Sequence, residues 1–250
     1  MAKILPLIDA DFLRHGQDHY LRHLSVDCVI FGFHENQLKV LLLKWKVGPW
    51  CLPGGFVKKA ESLQDSAIRT LHERTALKNI FLQQFYAFGH PLREKGKARD
   101  TKLRGTWLED RFVTIGYYAL VDYSKVKPHP DMFSDECTWW DIESVPELLY
   151  DHNEILTKAL EALRLDLHYH PIGYNLLSKK FTMPELQKLY ETILAKPVDR
   201  RNFQKKILSL KILVRLKERK TGGAHKSPYL YKFDEAKYRK ALREGLAGGF

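Results

Sequence analysis

Disulfides, membrane spans and repeats are what this sequence does without. It carries three cysteines in 250 residues, Cys28, Cys51 and Cys137. They are odd in number, widely spaced and form no Cys-x-x-Cys pair, so neither a disulfide framework nor a zinc site follows from them. All three read as reduced, structural thiols. The apolar runs, such as Leu38–Leu43, fall far short of the ~20 residues that a membrane-spanning helix needs. The first residues show no charged-then-apolar secretion pattern, which makes the cytoplasm the expected compartment. No internal repeat or low-complexity tract is present.

What is there suffices for a core: 44% of residues are hydrophobic and 12% aromatic, a composition and length that fit one or two globular domains. The formal charge of +11 is unevenly spread. Residues 1–165 hold 22 Lys and Arg against 22 Asp and Glu, whereas residues 166–250 hold 19 against 8. A neutral front and a basic back imply two tasks in one chain, and a basic compact domain most commonly faces a polyanion. A merely solvated surface is the alternative that the pattern inside the segment must decide.

Along the chain, Ser25–Phe33 and Leu38–Trp45 are β-rich runs around the turn-like His34-Glu35-Asn36-Gln37, which predicts a hairpin. The Pro- and Gly-punctuated loop Gly48–Gly55 leads into a helix near 62–75, with Ser62 as N-cap and Asp65 three residues on. Further strands are expected at Phe81–Gly89, Arg111–Val121 and Cys137–Asp141, with a long charged loop over Leu92–Glu109. Asn153–Leu165 has the apolar stripe of an amphipathic helix, and Pro171 and Gly173 then mark a linker. The domains are accordingly placed at 1–168 and 169–250. His15, His19 and His23 share a helix face by spacing, and no metal site is expected there because carboxylate or thiol ligands are not evident nearby. His168 and His170 read as part of the linker.

The second segment has its own logic. Thr182-Met-Pro-Glu185 reads as a capping box opening a helix with Leu186, Leu189, Tyr190, Ile193 and Leu194 on one face. Asp199 then caps a second helix, 200–208. Its wheel places Phe203, Ile207 and Leu210 at the back, Arg201, Gln204 and Lys205 at the front, and Arg200, Asn202 and Lys206 on the flanks. Such a helix suits a major groove. Strands over Ile212–Lys220 and Pro228–Phe233, joined by a turn bearing His225 and Lys226, make a wing. Together these elements predict a winged helix whose DNA contacts are Thr182, Arg200, Arg201, Asn202, Gln204, Lys205, Lys206, His225 and Lys226.

The first segment resembles the Nudix family. Gly55, five residues, Glu61, seven residues, Arg69 and then Thr70-Leu-His-Glu-Arg74-Thr-Ala76-Leu77 follow the signature, entered through Trp50-Cys-Leu-Pro-Gly-Gly55. In active members an Arg-Glu-x-x-Glu-Glu run holds Mg²⁺ for cleavage of a diphosphate. Positions three and four apart share a helix face, so such carboxylates converge on a hard cation. Here Thr70 and Arg74 stand at the first and third of those positions, Glu73 alone matches, and Ala76 replaces the family's glycine. The resemblance therefore implies the fold without hydrolysis, with no catalytic residue, metal or cofactor expected.

The pairing of this box with Phe181–Glu191, Asp199–Phe203 and Tyr229–Phe233 resembles the Nudix-related transcriptional regulators. That implies an α+β chain: a Nudix-like α/β/α sandwich with a mixed sheet, followed by a winged helix-turn-helix. It also implies a homodimeric repressor on a palindromic double-stranded operator. One branch of the family senses ADP-ribose-type ligands and controls NAD metabolism; another controls sugar catabolism and responds to L-arabinose. The chain looks closer to the arabinose branch. Asp27, Lys44, Gly54, Gly55 and Glu73 are the candidate ligand contacts, with Trp50, Trp139 and Trp140 available to stack on a sugar. ADP-ribose instead requires cations for its diphosphate, for which Arg93, Lys95, Lys97, Arg99, Lys102 and Arg104 are the candidates. A Nudix hydrolase with a basic accessory domain and a nucleotide-binding adaptor are the competing classes.

Overall fold

The computed structural model describes residues 10–46, 48–78, 80–91, 93, 105–131, 133–170, 173–220 and 227–244. These divide into two compact units, one within residues 1–31, 39–120 and 125–159, the other within residues 32–38, 121–124 and 160–250. Among the described residues no helix is long and apolar enough to cross a membrane.

Helix α1 (Ala10–His19) leads into the long strand β1 (Tyr20–His34), which turns at Glu35–Asn36 into β2 (Gln37–Trp45). Glu35 and Asn36 have φ of 49° and 63°, the left-handed pair that a primed two-residue hairpin demands. The Pro- and Gly-rich stretch beyond it, expected as loop, carries two short strands, β3 (Trp50–Cys51) and β4 (Gly54–Lys58). Helix α2 (Leu63–Thr75), strands β5 (Phe81–Phe88), β6 (Val113–Val121) and β7 (Ser134–Asp141), and helix α3 (His152–Tyr169) follow. The sheet runs β3-β2-β1-β6-β5, with β4 on β1 and β7 on β2. Val26, Cys28–Phe31 and Val40–Leu42 are wholly excluded from solvent. Burial that is continuous along a strand, not alternating, is the mark of a sheet covered on both faces.

The later residues form β8 (Phe181–Thr182), α4 (Met183–Leu194), α5 (Arg200–Ser209), β9 (Leu213–Arg219), β10 (Tyr229–Phe233) and α6 (Glu235–Glu244), with a sheet ordered β8-β10-β9. Leu186, Leu189, Tyr190, Ile193, Phe203 and Ile207 build its core, and the Tyr190 and Phe203 rings meet edge to face at 5.2 Å. Gly173 has φ of 148°, and a Cβ there would lie 3.3 Å from Leu186 and 3.4 Å from Phe233, so glycine answers both the conformation and the packing.

Several expectations are corrected. His23 lies in β1 with φ of 66°, off the α1 face that carries His15. Carboxylates do flank His15, at 3.9 Å from Asp11 and 3.5 Å from Asp18, yet no metal-ligating cluster forms among the described residues. Helix α3 continues through His168 to Tyr169, and the last segment of the second compact unit starts inside it, at Leu160. Helix α6 had no counterpart in the sequence reading. Tyr238 anchors it, buried against Phe233 and Tyr174 with ring centroids 5.2 and 5.0 Å away.

Two helices end on strained caps. Ala76 closes α2 at φ 58° and Ala195 closes α4 at φ 52°, a region that costs an L-residue about 1–2 kcal/mol. Both side chains are exposed, so Ala76→Gly or Ala195→Gly forfeits no packing. Each is expected to stabilise its unit by about 0.5–1 kcal/mol after the entropy of glycine is deducted. Thermal melts check this, and a fall in Tm for both variants contradicts it.

Candidate functional site

The first candidate site is the loop and helix over residues 50–76. Ser62 Oγ accepts the Asp65 amide at 3.1 Å and Asp65 Oδ2 accepts the Ser62 amide at 3.4 Å, the reciprocal box that starts α2. One turn on, Arg69 reaches back over the loop. Its Nε donates to Glu61 Oε1 at 2.7 Å, and Nη2 donates to Glu61 Oε2 at 3.0 Å and to the Phe56 carbonyl at 2.9 Å. The Arg69 bond holds the Glu61 carboxyl below its ordinary value.

Thr70 and Arg74 do not face the solvent side of α2. Thr70 is fully buried with Oγ1 unpartnered, and a Cβ on Gly55 would lie 2.8 Å from that oxygen. Arg74 is 9% exposed and turned inward, with Nη2 at 3.2 Å from Asp131. The residue at the third carboxylate position of the signature is thus an internal ion-pair member. Glu73 is exposed and stands 3.6 Å from Arg69 and 3.7 Å from Arg74. A Mg²⁺ site needs convergent carboxylates free to ligate. Here Glu61 is clamped, the two flanking positions carry Thr70 and Arg74, and Glu73 stands beside two arginines, so the residues present do not fit the metal.

Of the candidate ligand contacts, three come together. Asp27 on β1 faces Gly54 on β4 across the ladder. A Cβ at Gly54 would run into Asp27 Oδ1, so a side chain there would displace the carboxylate. Gly55 adjoins Thr70. Lys44 packs elsewhere, over the Trp50 ring at 5.5 Å, and Trp50 in turn meets Trp140 edge on at 5.2 Å. The Arg93 side chain is 5% exposed and is held by Asp151 through two bonds of 2.7 and 2.8 Å. Lys95, Lys97, Arg99, Lys102 and Arg104 lie outside the described residues.

The second candidate site is on α5. Asp199 caps it by accepting the Asn202 amide at 2.8 Å. Phe203 and Ile207 bury its back, while Arg200, Arg201, Asn202 and Lys205 are exposed and Gln204 and Lys206 half-buried. The expected front and back are both realised, although Leu210 is only half-buried. Thr182 is a correction: it is 2% exposed and its hydroxyl caps α4 by accepting the Glu185 amide at 3.3 Å, so its side chain is not offered to a partner. His225 and Lys226 lie outside the described residues. Two arginines that sequence reasoning missed lie on the wing strand β9. Arg215 and Arg219 stack on the Tyr229 ring at 4.6 and 4.0 Å. The period-two spacing of Arg215, Lys217 and Arg219 along a strand was the available signal.

With this geometry in place, comparison with known proteins gives two matches: the NUDIX domain over residues 21–163 and the NrtR DNA-binding winged helix domain over residues 173–233. The chain belongs to the Nudix domain family, in the architecture that joins a mixed-sheet Nudix domain to an NrtR-type winged helix. It is 28% identical over 218 residues to the ADPR responsive transcriptional repressor NtrR of Acinetobacter baylyi, covering 84% of this chain and 81% of that one. Shewanella oneidensis NrtR has a similar crystal structure, with a TM-score of 0.70 and 29% identity over 87% of this chain and 96% of that one. Its complex with a 27mer DNA gives a TM-score of 0.70 at 28% identity, again over 87% and 96%. The expected closeness to an arabinose-responsive branch is not supported, because the Acinetobacter relative is described as responding to ADPR.

Arg74→Glu, which restores a family carboxylate, is expected to place an unpaired anion beside Asp131 and to destabilise by about 3–5 kcal/mol, the usual cost of breaking a buried pair. A chemical melt equal to wild type refutes the inward pairing. Glu61 supplies an acid-sensitive term. Because its folded pKa is depressed, its contribution is present above the ordinary carboxylate range and is lost as pH falls through the folded value. Glu61→Gln is therefore expected to lower Tm at pH 7, with the gap to wild type shrinking as the pH is lowered below the ordinary carboxylate range, and a gap that does not change with pH contradicts this.

Proposed function

We propose that this Nudix-family chain is a DNA-binding transcriptional repressor that senses an ADP-ribose-type ligand and does not hydrolyse it. The observation that carries the reading is one chain holding both a Nudix box with Thr70 and Arg74 at carboxylate positions and an exposed Arg200-Arg201-Asn202…Lys205 front on α5. Similarity over most of its length to a repressor described as ADPR responsive supports the effector. The retained clamp, Glu61 to Arg69, keeps the ligand loop in shape. The internal Arg74–Asp131 pair takes the place of a metal-binding carboxylate.

On the reader side, arginine presents a planar fork that matches guanine O6 and N7, and Asn matches adenine. An exposed, capped helix with such a front enters a major groove, and the wing arginines on Tyr229 are positioned for phosphates. A homodimer on a two-fold-symmetric operator places two such helices one helical turn apart, or a multiple of it.

The test is fluorescence anisotropy of a duplex selected from random sequence by the purified protein, at fixed salt. ADP-ribose is expected to release the duplex and L-arabinose to leave it bound. Arg201→Ala or Lys205→Ala is expected to weaken binding by about 1–3 kcal/mol where the lost contact reads a base. Release by arabinose alone overturns the effector. Turnover of ADP-ribose with Mg²⁺ near an ordinary enzyme rate of ~10 s⁻¹ overturns the loss of hydrolysis.

A further inference from the structure

The first turn of α3 gathers more contacts than a helix start needs. Asp151, just before it, takes both forks of Arg93, and Arg93 Nη1 also donates to the Phe112 carbonyl at 3.2 Å. His152 Nδ1 accepts the Leu52 amide at 2.9 Å, which leaves the ring proton on Nε2, 3.9 Å from Asp27 Oδ1. Asn153 Oδ1 accepts the Leu148 amide at 2.8 Å, and the Leu149 amide donates to the Trp50 carbonyl at 2.8 Å. Of these three consecutive residues, His152 bonds directly to the segment that enters the Gly54–Gly55 loop, Asp151 holds Arg93 and Asn153 holds the turn before the helix.

Arg93 is shared between two carboxylates unequally. Asp151 has it at bonding distance in a forked pair, whereas Asp27, beside Gly54, stands 3.8 Å away. All three side chains are 10% exposed or less, so the competition takes place with little solvent screening. Helix α3 is continuous from His152 to Tyr169, and its residues from Leu160 onward belong to the second unit. There Arg164 Nε donates to the carbonyl of Ile193, in the last turn of α4, at 2.8 Å.

We propose that the Arg93–Asp151 pair is the latch through which effector occupancy reaches the reader. The inference rests on the ADP-ribose reading above. A diphosphate seated beside Gly54–Gly55 offers Arg93 a partner of higher charge than Asp151. Drawing the guanidinium away frees the start of α3, and the continuous helix carries the change to Arg164 and α4. A closed latch opposes the ligand, so removing it has a signed consequence: ligand binding tightens while its effect on the second unit disappears. A merely structural pair predicts weaker ligand binding instead.

The experiment compares the full-length wild type with Asp151→Asn, which keeps a side chain competent to cap α3. Asp151→Ser, also a good cap, repeats it if the first variant is unstable. ADP-ribose affinity is read by calorimetry and amide hydrogen exchange over residues 160–169 with and without ADP-ribose. The expected result is affinity about threefold or more tighter in the variant, with the ligand-induced exchange change of wild type abolished; coupling factors of about 5–150-fold are typical of such linkage. Unchanged or weaker affinity, or an undiminished exchange response, overturns the latch and leaves the effector standing. Absence of ADP-ribose binding to wild type overturns the effector and the latch with it.

Discussion

A bidentate ion pair, Arg69 on Glu61, fixes the geometry on which the ligand-side half of the molecule depends. It spans the loop between β4 and α2 and adds a bond to the Phe56 carbonyl. In a metal-dependent relative such a clamp would hold the loop beside carboxylates on the same helix. Here those positions have turned to other work: Thr70 fills the contact under Gly55 and Arg74 closes on Asp131. Breaking a buried pair strands the remaining charge, which is why the replacement is not reversed by one substitution.

The two segments use charge in opposite ways. In the neutral front, Lys39 pairs with Asp141, Arg69 with Glu61, Arg74 with Asp131 and Arg93 with Asp151, all within the fold. In the basic remainder, Arg200, Arg201 and Lys205 face solvent along a helix whose other face is Phe203 and Ile207. Paired interior charges contribute position and specificity, whereas exposed cations of one sign raise the local potential and act on a polyanion in a salt-dependent manner.

What the sequence revealed was local. Ser62 with Asp65, Thr182 with Glu185 and the Glu35–Asn36 turn each act within three residues, and each forms as read. Side-chain direction across the fold was not legible. The inward pairing of Arg74 with Asp131 and of Arg93 with Asp151 could not be read, because the partners lie 57 and 58 residues away in the chain. Thr182 was read as both cap and contact, and burial leaves only the cap. The start of α3 was set one residue late, at Asn153, so Asp151 and His152 were passed over. Helix α6 carries the short stripe Tyr238, Ala241 and Leu242 among exposed charged residues, a signal that the sequence reading passed over.

The central proposal is that this Nudix domain recognises its ligand without a metal. Electron paramagnetic resonance of Mn²⁺, titrated into the protein with and without ADP-ribose, tests it directly when paired with an ADP-ribose affinity measured in EDTA. The account predicts no protein-bound Mn²⁺ signal in the absence of ligand and an ADP-ribose affinity that EDTA leaves unchanged. A stoichiometric Mn²⁺ site on the protein alone, with ADP-ribose binding lost in EDTA, would contradict it.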